Sequence, residues 1–340
     1  MQRKFKAGLI AGLMVALAGC SSNQDAAPAL PELGTNPERL YLAGLSSGGY
    51  MAHQLHLAWP EQVQGVAIFA AGPYGCARGG LVDALQRCMF IQRGAPQAAT
   101  SLALIEEEAA AGNLGDPQAL AGDRVFLYHG LGDRVVHPRV GEALQATYQQ
   151  LVGDQLHVHQ QPQAGHGLPT LSTGVDCAAS AAPYVNACGF AGAAVSMAHL
   201  DGAPRGASEL TASVQSFDQR PFFEDSRGLA DQGYYYQPAA CAADPQSCGL
   251  VMVLHGCDQA AEQVGLAFIE QSGYLEAAEA HQLVVLFPQA RSRTANPKAC
   301  WDWWGLESRD YDTRTGRQMR ALHSLWQAAQ VQEAPRSTAR

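Results

Sequence analysis

Apolar positions fall into short runs divided by glycine-rich turns, alternating with stretches of helical spacing. Residues 39–43 read as a short buried strand, residues 44–49 as a glycine-rich turn, and Tyr50 to Trp59 as a helix stopped by Pro60. Val66 to Ala70 is a second apolar strand. Residues 81–122 are Ala-rich with helical pieces and no clear period. Val125 to Tyr128 forms a strand leading to Asp133, Val140 to Leu151 a helix, and Leu156 to Gln160 a strand before Gly165-His166-Gly167. Strands alternating with helices predict a mostly parallel, doubly wound α/β sheet.

After about residue 203 the pattern changes. Leu210 to Phe217 and Gly233 to Gln237 alternate like strands of a hairpin or meander. Leu250 to Leu254 is a fully apolar strand, Gln263 to His281 one long helix, and Leu283 to Phe287 another buried strand. Gly316 to Gln330 reads as the last helix, with Met319, Leu322 and Trp326 on one face. The expected division is residues 1–19 as a leader, 20–37 as a flexible tether, 38–332 as one catalytic domain and 333–340 as a tail.

The leader follows from its pattern. Arg3, Lys4 and Lys6 precede an apolar run from Ala7 to Leu17, and small residues then precede Cys20. This is the pattern of a bacterial lipoprotein signal with Cys20 lipidated, an ordinary signal peptide being the rival. Export to the outer membrane, cell surface or medium is expected, with membrane contact only through the lipid. Of the 340 residues, 47% are hydrophobic and 16% charged, which supports a large core. Removing residues 1–19 takes away three positive charges and no acids, so the formal charge of −9 becomes −12. Nucleic acid is a poor partner for such a chain, and an uncharged substrate an easier one.

Nine cysteines leave eight once Cys20 is set aside. An even set in an exported chain reads as disulfides. Close spacing suggests Cys76–Cys88, Cys177–Cys188 and Cys241–Cys248, leaving Cys257–Cys300, one choice among many possible pairings. No metal or cofactor is expected: there is no C-x-x-C pair, and His157 and His159, alternating on one strand, have no evident third ligand.

Gly44-Leu45-Ser46-Ser47-Gly48 between a strand and a helix is the nucleophile-elbow arrangement. A serine needs a base, and in this architecture the carboxylate and histidine follow it in the chain. Asp133 after a strand and His166 in a later glycine-flanked loop fill those places. The backbone N–H of Ser47 is one expected oxyanion donor. The second is that of Cys257, after the strand ending in Leu254-His255-Gly256, with His255 shaping the loop. This oxyanion strand ordinarily precedes the nucleophile; here it follows by some two hundred residues. Moving residues 205–330 ahead of residue 38 restores the usual order, so a circular permutation is expected rather than two unrelated domains.

With these motifs in place, the chain from about Leu40 to Gln330 resembles the circularly permuted poly(3-hydroxybutyrate) depolymerase type of the esterase family named after that activity. The specific segments are Gly44 to Met51, Ala71 to Ala77, Leu254 to Cys257, Phe287 to Ala290, and Asn296 to Gly305. The resemblance implies an α/β-hydrolase fold, a triad of Ser46, Asp133 and His166, and oxyanion donors at Ser47 and Cys257. It implies a polymer crevice lined by Trp301, Trp303 and Trp304, and Tyr50 is taken with them as substrate-binding. A flat apolar wall suits an uncharged, methyl-bearing polyester or oligoester. Two alternatives stay open: an esterase of the same fold acting on short-chain or acylated-polysaccharide substrates, and a non-catalytic binding lipoprotein.

Overall fold

The computed structural model describes residues 27–223 and 228–331. The proposed leader, Cys20 and the tail lie outside the described residues.

The strands are β1 (Leu40–Leu45), β2 (Gly65–Phe69), β3 (Arg124–Gly130), β4 (Leu156–Gln161), β5 (Leu168–Thr170), β6 (Val175–Asp176), β7 (Val185–Ala187), β8 (Gln215–Asp218), β9 (Gln232–Tyr236), β10 (Gly249–Leu254) and β11 (Leu283–Phe287). The helices are α1 (Ser47–Ala58), α2 (Leu81–Gln86), α3 (Ala98–Ala110), α4 (Pro138–Val152), α5 (Gly192–Asp201), α6 (Ala239–Ala243), α7 (Ala261–Val264), α8 (Ala267–Gln271), α9 (Tyr274–His281) and α10 (Arg317–Ala329). Eight strands form one sheet in the order β4-β3-β2-β1-β10-β11-β9-β8. All pairings from β4 to β11 are parallel, and β9 and β8 join antiparallel.

Both faces of the sheet are covered, which is why its central strands are apolar without alternation. Side chains of β1 still alternate by face. Leu40 and Leu42 enter a core with α1, α3, α4 and α10, whereas Tyr41, Ala43 and Leu45 enter a core with α5, α8 and α9. The C-terminal strands β10 and β11 lie against β1, so both halves of the chain build one sheet.

Two expectations change, and one element is new. The long helix over 263–281 is instead α7, α8 and α9, interrupted at Gly265 and Gly273, both with positive φ. Such backbone leaves the helical region and breaks the ladder. Residues 27–37 are not a free tether. Leu33 and Thr35 are wholly buried, Thr35 bridges Gln330 beside α10, and its N–H and hydroxyl both bond the Ala329 carbonyl at 3.0 Å. Finally, β5, β6 and β7 form a small separate sheet after His166 that the sequence pattern does not reveal.

Candidate active site

Ser46 sits between β1 and α1 at φ 56° and ψ −121°, a strained conformation for a residue with a side chain. The turn tolerates nothing larger than glycine at positions 44 and 48. A Cβ on Gly44 would lie 2.1 Å from the Gly48 carbonyl oxygen, and one on Gly48 would lie 2.1 Å from the Leu254 carbonyl oxygen. The elbow is thereby wedged between its own helix and the end of β10. Ser47 opens α1, where the first N–H groups have no partner within the helix.

Asp133 and His166 follow β3 and β4, at the same carboxyl edge as Ser46. His166 Nδ1 lies 2.7 Å from Asp133 Oδ2, and both side chains are buried. Asp133 Oδ1 accepts the N–H groups of Val135 at 2.7 Å and Val136 at 2.9 Å. Burial works to raise its carboxyl, but the charge and hydrogen bond of His166 outweigh that and hold it below the usual range. The carboxylate therefore stays ionised, and it faces His166 Nδ1, where it needs an N–H donor. The His166 N–H donates to Ser180 Oγ at 2.9 Å, and Tyr184 meets its ring edge-on at 6.0 Å.

The turn after β10 is tied from several sides. His255 Nδ1 contacts the Gly256 carbonyl at 2.7 Å, while His255 Nε2 accepts the Ala290 N–H at 3.1 Å. Those partners set the proton on Nδ1, and burial pushes the imidazole down to about 4, keeping it neutral. Cys257 is bonded to Cys300, with Cα atoms 4.3 Å apart. The other three expected bridges, Cys76–Cys88, Cys177–Cys188 and Cys241–Cys248, are also formed.

The aromatic residues divide in role. Tyr50 and Trp303 stack at 4.2 Å and 9°, Trp303 and Trp304 meet edge-on at 5.6 Å, and the Tyr50 hydroxyl donates to the Cys88 carbonyl at 2.8 Å. Trp304 is half-buried. Trp301, expected to line a crevice, is wholly buried and donates Nε1–H to the His255 carbonyl at 2.9 Å. It braces the turn after β10 instead of forming a wall. Asp302 shapes the same segment by accepting the N–H groups of Gly305, Leu306 and Glu307.

Other histidines are accounted for by packing. His129 contacts the Val136 carbonyl through Nε2 at 2.9 Å, next to Asp133. His53 and His56 meet the buried Tyr148 hydroxyl, and His157 and His159 stack on Phe126 and Tyr128. Gln259, which no sequence motif marks, is buried between the turn after β10 and the segment beside His166.

Comparison with known proteins decides the family. The chain is 32% identical over 326 residues to the polyhydroxybutyrate depolymerase of Talaromyces funiculosus, covering 90% of this chain and 94% of that protein. The chain belongs to the polyhydroxybutyrate depolymerase family. A second member of that family, poly(3-hydroxybutyrate) depolymerase of Delftia acidovorans, is 35% identical over 321 residues, which is 93% of this chain but only 64% of that longer protein. Two solved depolymerase structures share the fold at 29% identity. One, from Penicillium funiculosum, covers 90% of this chain and 98% of its own with a TM-score of 0.80. The other, a serine-to-alanine variant complexed with an R3HB trimer, covers 89% and 98% with a TM-score of 0.81. The prolyl oligopeptidase family, another α/β-hydrolase group, matches residues 26–188.

Proposed function

We propose that this protein is a serine esterase that hydrolyses poly(3-hydroxybutyrate) or its oligomers, with Ser46 as nucleophile, His166 as general base and Asp133 as its orienting carboxylate. The observation that carries the reading is the 2.7 Å Asp133–His166 bond, which leaves Nε2 as the bare imidazole nitrogen. Ser46 attacks the ester carbonyl while Nε2 takes its proton, and the imidazolium is stabilised by Asp133. The N–H groups of Ser47 and Cys257 receive the oxyanion. His166 returns the proton to the leaving alcohol, then activates water to release the acyl group, so the protein ends as a carboxylic ester hydrolase with its serine restored.

Polyester is the substrate the relatives' names indicate, and an acidic chain favours an uncharged ester; of the expected aromatic wall, Tyr50 and Trp303 are buried against each other and Trp304 alone is half-buried beside them. The strand order, with β10 and β11 beside β1, is the observation behind reading the fold as a circular permutation. We also propose export with Cys20 carrying the lipid; the four disulfides fit an oxidising compartment. Labelling with a radioactive fatty acid tests the anchor, with label expected on wild type and lost in Cys20→Ser. The activity is tested with a short-chain chromogenic ester: wild type turns over and Ser46→Ala does not. Equal, negligible rates in both would favour a non-catalytic binding protein.

A further inference from the structure

Two successive N–H groups, those of Gly256 and Cys257, lie in the turn after β10, and each belongs to its own peptide plane. In a trans peptide the carbonyl and the following N–H point opposite ways. The Gly256 carbonyl is held by His255 Nδ1, so the Cys257 N–H points away from that ring. The preceding plane is fixed separately: the Gly256 N–H donates to Oε1 of Gln259. The other end of the same amide, Nε2, donates to the Pro183 carbonyl at 2.6 Å and reaches the Tyr184 carbonyl at 3.4 Å. An inverted amide would face an N–H with its NH₂ and two carbonyls with its oxygen, so these partners fix its orientation. Gln259 is 1% exposed, and water does not compete for these bonds.

We propose that Gln259 is a positioning residue: it turns the Gly256 N–H away from the reacting centre and ties the oxyanion turn to the segment that packs on His166. This rests on the reading of the Cys257 N–H as an oxyanion donor. Turn and base are thereby held in register by one side chain, since Tyr184 meets the His166 ring and a Cβ on Gly256 would lie only 3.2 Å from Ser46 Cβ. Preorganised donors of this kind need no rearrangement as charge develops on the substrate oxygen.

The test compares full-length wild type, Gln259→Leu, Gln259→Glu and Ser46→Ala. The readouts are kcat and KM on a p-nitrophenyl ester, affinity for a boronic acid that adds to the nucleophilic serine, and the thermal midpoint. A misaimed donor costs less than a missing one, so Gln259→Leu should lower kcat about 10–100-fold with KM within about threefold. Boronic acid affinity should fall by a similar factor. Gln259→Glu keeps an acceptor for the Gly256 N–H but sets a carboxylate against two carbonyls. Its deficit relative to wild type should shrink as the pH is lowered toward about 5, where a protonated carboxyl donates to Pro183. Wild-type kcat and boronic acid affinity in a folded Gln259→Leu overturn the proposal, as does a pH-independent deficit in Gln259→Glu if the leucine variant fails to fold. Those outcomes leave the triad reading intact when Ser46→Ala is inactive; an active Ser46→Ala defeats that reading instead.

Discussion

Asp133 has both carboxylate oxygens engaged as acceptors: one by two backbone N–H groups, the other by His166. An amide in its place keeps the shape but presents an NH₂ where an acceptor is needed, either to the loop N–H groups or to His166 Nδ1. Asp133→Asn should therefore lower kcat by about 10⁴ through the wrong imidazole tautomer, with little change in KM. Steady-state kinetics on a soluble ester check this, and a loss under tenfold would contradict it. A second residue-scale prediction concerns pH. Burial pushes His53 down from an ordinary 6.5 to about 3, and His255 to about 4. Between those values and 6.5 the unfolded chain takes up protons that the folded chain refuses. This contribution to stability is complete above about 6.5 and is lost progressively as the pH falls toward about 3. The thermal midpoint of wild type should decline over that window, and His53→Asn, which can still meet Tyr148, should flatten the decline. An unchanged slope in the variant would count against His53 as a source.

At the scale of elements, the elbow between β1 and α1 was legible because the glycines at 44 and 48 are a steric necessity, each sitting within 2.1 Å of a backbone oxygen when given a Cβ. The central strands were legible from their unbroken apolar runs. The helices after β10 were not, because the amphipathic pattern over 263–281 continues through Gly265 and Gly273 while the backbone does not. The disulfides offer a contrast between elements. Cys257–Cys300 anchors the turn after β10, the proposed oxyanion turn, whereas Cys241–Cys248 joins α6 to the loop before β10. Replacing both members of each pair by alanine should cost about 2 kcal/mol for the short loop and about 4 kcal/mol for the long one on chain-entropy grounds. Only loss of Cys257–Cys300 should also lower kcat in protein that remains folded. Equal kcat in the two folded double variants would show that the bridge does not serve the turn.

Across the whole molecule, residues from both ends of the chain meet at one sheet edge. Ser46, Asp133 and His166, the proposed nucleophile, orienting carboxylate and base, come from the first half, while His255, Cys257 and the tryptophan segment come from the second. Motif order gave the triad candidates and the late oxyanion strand. It could not give the burial of Trp301, which depends on packing under His255, nor the bridge through Gln259, whose partners lie 76 and 3 residues away in the chain. Composition is equally silent on residues 27–37, whose small and polar character hides a buried Leu33 and a bridge to the end of α10. The proposed activity requires that Ser46 cut a polyester. Clearing of a poly(3-hydroxybutyrate) suspension, with soluble 3-hydroxybutyrate products quantified, measures that directly for wild type beside Ser46→Ala. The predicted result is clearing and product release by wild type and none by the variant. Equal release by both, or none by a wild type that readily cleaves an acylated sugar, would contradict it.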